Sequence, residues 1–181
     1  YMNGISGLKN IGNSCFFNSG IQCLACVEQL TKYFLNKEYL TNLSNSKYKN
    51  LITEYYKLIN GMFEENCKII PKSFYNVSMI IAKNDNVQFG FFNQNDVQEF
   101  LIFIIDAFHE GLKRKVNITI TGNPKNDIDK MALDANKKWK KDFKDCYSKI
   151  VELFYGQTVT FIKVDGKVKS TTYNPMCFLP L

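Results

Sequence analysis

The sequence predicts an α+β chain, helical over most of its length and passing into β-structure at its C-terminal end. Two observations of pattern carry this. Apolar residues recur at spacings of three and four through much of residues 1–155, the period of amphipathic helices. The period then falls to two in "TVTFIKVDGKVKSTTY", where β-branched residues flank Asp165-Gly166, a hairpin turn signal. Composition adds a third: 181 residues, 45% hydrophobic and 14% aromatic, are enough to bury roughly two-thirds of the extended surface in a core.

Taken in order, the first helix is expected from Ser14 to Phe34, with Asn13 or Ser14 as its cap and Gly12 letting the chain turn in. Phe16, Phe17, Ile21, Cys23, Leu24, Cys26, Val27 and Leu30 spread round most of its circumference, which predicts a central, buried helix. Asn18, Gln22 and Gln29 form one narrow polar stripe that must find hydrogen-bond partners inside. Leu51, Tyr55, Leu58, Ile59, Met62 and Phe63 mark a second helix, and a shorter one follows Pro71 through Phe74, Val77 and Ile80 or Ile81. The turn-rich "KNDNVQFGFFNQN" leads into the clearest helix, with Val97, Phe100, Leu101, Ile104, Ile105 and Phe108 in register. Asp96 and Glu99 are spaced as a capping box and Gly111 as the stop. "VNITITGNPKND" reads as loop or short strand, and a lysine-rich helix starts at Asp127 with Ala132, Ala135, Trp139 and Phe143 on one face. After the hairpin, "NPMCFLPL" reads as the beginning of a third strand.

Several function classes fall away on composition. No stretch is apolar for the roughly 18 residues a membrane helix needs, and "YMNGISGLKN" has no secretory signal pattern. Six unevenly placed cysteines without a secretory context are expected as reduced thiols of an intracellular protein. The net charge of +6 comes from dispersed lysines, with Arg114 the single arginine, so no nucleic-acid interface is expected.

The stretch "GNSCFFNSGIQCL" carries the chemistry. Attack on a carbonyl requires a thiolate, and the first turn of a helix offers free N–H groups and the positive end of its dipole. Cys15 falls at such a position, whereas Cys23 and Cys26 lie mid-helix and Cys23 is expected as a small buried hydrophobe. A tetrahedral intermediate needs donors aimed at its oxyanion. Asn10, five residues before Cys15 and across Gly12, has the reach to supply one. On the residues alone, a buried structural thiol remains the competing reading of Cys15.

"GLKNIGNSCFFNSGIQCL" resembles the cysteine box of the ubiquitin-specific proteases. "QNDVQEFLIFIIDAFHEGL" is similar to a second segment of that family, and "LFYGQTVTFIKVDGKVKSTTYNPMCFLPL" to its next strands, in the same order and spacing. The resemblance implies a papain-like cysteine protease fold. Residues 1–155 would form a mostly helical thumb, residues 156–181 the start of the β-fingers, and the palm sheet would be incomplete. It implies a thiol protease that cleaves after the C-terminal glycine of ubiquitin, with Cys15 as nucleophile, Asn10 as oxyanion donor, and Gln94 and Asp96 at the basic C-terminal tail of ubiquitin. Asp96 has helix capping as its plainer role, and both can hold.

The general base of such a site is a histidine oriented by Asp or Asn. The sole histidine is His109, at a helix C-terminus that favours the imidazolium and makes a poor base. The family's histidine box implies a palm beyond residue 181, the remaining half of the catalytic domain, brought by a longer form of this chain or by a separate chain. A non-catalytic ubiquitin-binding module is the alternative. No metal or other cofactor is expected: the hairpin tip "IKVDGK" lacks the C-x-x-C of zinc-bearing fingers, Cys177 is alone, and Cys23-x-x-Cys26 has no second pair.

Overall fold

The computed structural model describes residues 6–87 and 93–178. The chain forms two compact units, residues 1–112 and 113–181. None of its described helices is long and apolar enough to cross a membrane.

The first unit runs β1 (Gly7–Leu8), α1 (Cys15–Ala25), α2 (Glu28–Leu35), a 3₁₀ turn (Glu38–Thr41), α3 (Lys49–Glu64), β2 (Lys68–Ile69), α4 (Lys72–Asn84) and α5 (Val97–Leu112). Helix α1 packs on α2 and α5, and α3 packs on α2, α4 and α5. Their apolar stripes meet in an aromatic core in which Phe17, Phe34, Tyr55, Phe74, Phe100 and Phe108 are buried. Phe17 lies 5.1 Å from Phe100 and 5.5 Å from Phe74, centroid to centroid, and Tyr55 lies 4.7 Å from Phe108. Such tilted and edge-on pairs add about 0.5–1.5 kcal/mol each beyond their area burial.

The expected single helix over Ser14–Phe34 is two helices. Val27 is extended, at φ −78° and ψ 94°, and breaks the run. Cys26 N–H bonds back to the carbonyls of Gln22 and Cys23, and Thr31 Oγ1 donates to Ala25 O at 2.9 Å, so the break leaves these groups satisfied. Nor is α1 buried all round: Cys15, Ser19, Cys23 and Cys26 form an exposed stripe, so Cys23 is not the buried hydrophobe expected. Gly111 is not a stop either, since α5 continues to Leu112. It is a close-approach site, where an added Cβ would fall 2.3 Å from Ile52 Cδ1 and 3.2 Å from Tyr48 Cβ. In α4, Phe74 and Ile81 face the core while Ile80 is exposed. The loop at 83–95 lies partly outside the described residues.

In the second unit, Arg114 and Tyr147 exchange backbone hydrogen bonds at 2.8 and 2.9 Å, and residues 115–126 have no regular element. Helix α6 (Asp127–Phe143) is capped by Asn126, whose Oδ1 accepts from Asp129 N–H at 2.8 Å. Trp139 and Phe143 pack with tilted rings, centroids 4.4 Å apart, on its apolar face. A six-residue helix, α7 (Lys149–Phe154), is capped by Ser148 and buries Ile150 and Val151. It is too short to show a period in sequence. The hairpin joins β3 (Gly156–Val164) to β4 (Lys167–Met176). Asp165 (φ 51°) and Gly166 (φ 74°) make the two-residue turn with φ positive at both positions that matches strand twist. Gly156 pairs with Met176 and Gln157 with Pro175, so Asn174–Met176 completes β4 and does not open a third strand.

Candidate active site

Asn10, Cys15, Gln94 and Asp96, the expected site residues of this chain, all belong to the first unit. Strand β1 pairs in parallel with β2, Gly7 N–H donating to Cys67 O at 3.0 Å and Lys9 N–H to Ile69 O at 2.8 Å. Buried Ser6 anchors the segment, with Oγ 2.9 Å from Met62 O and 2.8 Å from Glu65 O. Beyond Lys9 the chain must reverse within a few residues to enter α1. Gly12 (φ 103°) and Asn13 (φ 48°) do this with consecutive positive φ values, and glycine takes the first without strain.

Asn10 and Ser14 tie that turn together. Asn10 Oδ1 accepts from Gly12 N–H (3.0 Å), Ser14 N–H (3.3 Å) and Ser14 Oγ–H (3.1 Å), while Ser14 Oγ accepts from Ile11 N–H (3.0 Å). These three contacts all use the carbonyl end of the Asn10 side chain, so among the described residues the two donors of its Nδ2 take no part in closing the turn. Ser14 therefore does not cap α1 as expected; its hydroxyl is committed to the turn and makes no cap hydrogen bond to the helix. Cys15, the first residue of α1, is exposed at that end.

Helix α5 brings the second group of expected residues. Phe16 meets Phe100 edge-on at 5.6 Å, and a Cβ on Gly20 would fall 2.9 Å from Phe100 Cδ1, so the first turns of α1 and α5 lie side by side. Asp96, four residues before Phe100, caps α5, its Oδ1 accepting from Gln98 N–H (2.6 Å) and Glu99 N–H (3.2 Å). Gln94 and Asp96 are both exposed there. His109 is nine residues past Phe100, roughly 13 Å along the helix, and half-buried in its last turn. It is not brought to the Cys15 end.

A cleft of about 760 Å³ not visible in the sequence lies among Lys47, Tyr48, Asp85, Glu99, Phe103 and Asp106. Asp85 pairs with Lys47 and accepts from Tyr48 Oη–H at 2.9 Å. Burial, reinforced by that carboxylate, raises the Tyr48 phenol above its ordinary ionisation range, and the bond to Asp85 raises the Lys47 ammonium. These residues come from three separate segments, and no local spacing signals them.

The family model for ubiquitin carboxyl-terminal hydrolase matches residues 6–170. This chain belongs to the ubiquitin carboxyl-terminal hydrolase family. It is 34% identical over 190 residues to ubiquitin carboxyl-terminal hydrolase 15 of Homo sapiens, covering 98% of this chain and 18% of that protein. To ubiquitin carboxyl-terminal hydrolase 2 of Homo sapiens it is 32% identical over 185 residues, covering 98% of this chain and 30% of the relative. The chain thus spans less than a third of these relatives' length. Among solved structures it is similar to the Ubp8 SAGA DUB module bound to monoubiquitin, with a TM-score of 0.62 and 20% identity over 97% of this chain and 35% of that one. The same module bound to ubiquitin aldehyde gives a TM-score of 0.59 at 21% identity, over 97% of this chain and 34% of that one. These likenesses show the mixed helical and stranded papain-like fold.

Proposed function

We propose that this chain is the nucleophile-bearing part of a thiol protease that hydrolyses the isopeptide or peptide bond after the C-terminal glycine of ubiquitin. One observation carries the reading: Cys15 opens a helix whose N-cap residue, Ser14, makes no side-chain cap bond, and Asn10 is bonded to the residues next to it through Oδ1, which leaves its Nδ2 donors for a ligand. A base takes the Cys15 thiol proton, the thiolate adds to the glycine carbonyl, Asn10 Nδ2 and backbone N–H groups at the start of α1 hold the oxyanion, and its collapse breaks the C–N bond as the base returns the proton to the leaving amine. Water then cleaves the thioester, freeing the C-terminal carboxylate and the Cys15 thiol. Gln94 and the Asp96 carboxylate, whose Oδ2 the helix cap does not use, receive the basic tail of ubiquitin.

The base comes from outside this chain, from a palm that completes residues 1–155 as thumb and 156–181 as first finger strands. The length of the relatives and the remoteness of His109 support this division. Six free thiols fit an intracellular, reducing compartment.

Turnover of a fluorogenic ubiquitin C-terminal amide by the full-length protein tests the proposal. Cys15→Ala abolishes turnover; normal hydrolysis by that variant contradicts it. Residues 1–181 alone show negligible turnover, because they hold no base. The His109 position also suits a ubiquitin-binding module without catalysis, which tight ubiquitin binding with no turnover by the full-length protein would select.

A further inference from the structure

Strand β1 is hydrogen-bonded from two sides. Gly7 and Lys9 donate to β2, as described above. The carbonyls of Ser6 and Leu8, each just before one of these donors, face the other way and accept from side chains of α1: Gln22 Nε2–H donates to Ser6 O at 2.8 Å, and Asn18 Nδ2–H to Leu8 O at 3.3 Å. Alternate residues serving opposite neighbours is the habit of a strand inside a sheet. Here one neighbour is a helix. The substitution works because residues four apart on a helix are separated by about 6 Å along its axis, close to the roughly 6.6 Å between alternate residues of a strand. Two carboxamides one helical turn apart thus act as two rungs of a ladder.

The pairing order is reversed, Asn18 with Leu8 and Gln22 with Ser6, so β1 runs antiparallel to α1. Its C-terminal end therefore emerges at the N-terminal end of α1, where residues 9–14 turn back into Cys15. We propose that Asn18 and Gln22 form a clasp that sets the register of β1 on α1 and so places the Asn10 amide beside the Cys15 thiol. Asn18 is the positioning residue of the oxyanion donor. This inference rests on the reading of Cys15 and Asn10 given above.

The bonds between Asn10 and Ser14 close the turn, but they do not determine where its incoming limb lies. The rung at Leu8, two residues before Asn10, and the β2 bond at Lys9 do that. Asn18 serves as a donor only: its Oδ1 is buried and accepts no hydrogen bond. Asn18→Asp keeps the shape but sets an acceptor against Leu8 O, and Asn18→Ser removes the amide without adding charge.

The test uses the full-length protein and the fluorogenic ubiquitin amide. Both Asn18 variants are expected to lower kcat about tenfold or more, with KM and the rate of Cys15 alkylation by iodoacetamide held within about twofold. The Asn10→Ala/Asn18→Ser double variant is expected to be no slower than Asn10→Ala alone, because both act through one donor. Losses that multiply in the double variant, a loss confined to KM, or turnover and alkylation falling together overturn the clasp. If Asn10→Ala slows turnover while both Asn18 variants leave it intact, the clasp fails and the catalytic reading stands. If Asn10→Ala has no effect, both fail.

Discussion

At Asn10, Ser14 and Cys15, spacing and chemistry part company. The five-residue interval between Asn10 and Cys15 and the position of Cys15 at a helix start are visible in the letters. The division of labour inside the turn is not, because Ser14 has the residue type and place of a cap and is drawn off by Asn10 and Ile11. A sequence cannot show which of two local partners a serine hydroxyl takes when both are within reach. Two outcomes follow at this scale. Asn10→Ala lowers kcat by about 10²–10³ with KM little changed, as expected for one oxyanion donor, and steady-state kinetics with the ubiquitin amide checks it. Ser14→Ala leaves Ile11 N–H without its acceptor and the turn without one tie. It costs about 1 kcal/mol of stability, read from urea unfolding, with a smaller kinetic effect than Asn10→Ala.

Among the elements, long periodic helices were the most readable. Helices α3 and α5 were expected from stripes of Leu51, Tyr55, Leu58, Ile59, Met62 and Phe63, and of Val97, Phe100, Leu101, Ile104, Ile105 and Phe108; all are buried except Phe63 and Leu101, which are half-buried, and Val97, which is exposed. What escaped depends on contacts between elements: the break at Val27, where the two flanking helices bury different faces, the six-residue α7, and Gly111. Gly111 looks like a helix terminator, yet its missing side chain is what lets α5 approach Ile52 and Tyr48 of the α3 region. Gly111→Ala gains helix propensity but crowds a fully buried Ile52, and the net cost is about 1–3 kcal/mol. Adding Ile52→Val removes the opposing Cδ1. The double variant should therefore be less destabilised than the sum of the two single changes, a coupling that denaturant titrations of all three measure.

For the whole molecule, the composition announced one globular core but not its division at residue 112 or the cleft of Lys47, Tyr48 and Asp85, which requires three distant segments to meet. That cleft and the core impose a pH limit. Tyr48 and Lys47 ionise above their ordinary values, and burial alone raises Tyr55 further. Above about pH 10, where an unfolded tyrosine releases its proton, the folded chain binds more protons than the unfolded one, so stability falls as pH rises. These groups contribute their full stabilisation below that pH; a thermal midpoint that holds from pH 10 to 11 would contradict the assignment. The central claim, that Cys15 is the nucleophile, is open to one direct measurement. Full-length protein is treated with ubiquitin bearing a C-terminal vinyl methyl ester, and the adduct is mapped by peptide mass spectrometry. Cys23, Cys26 and Cys67 are exposed as well and serve as internal controls. A single adduct on Cys15, lost in Cys15→Ala, is expected; an adduct on another cysteine, or labelling that survives Cys15→Ala, would rule Cys15 out as the nucleophile.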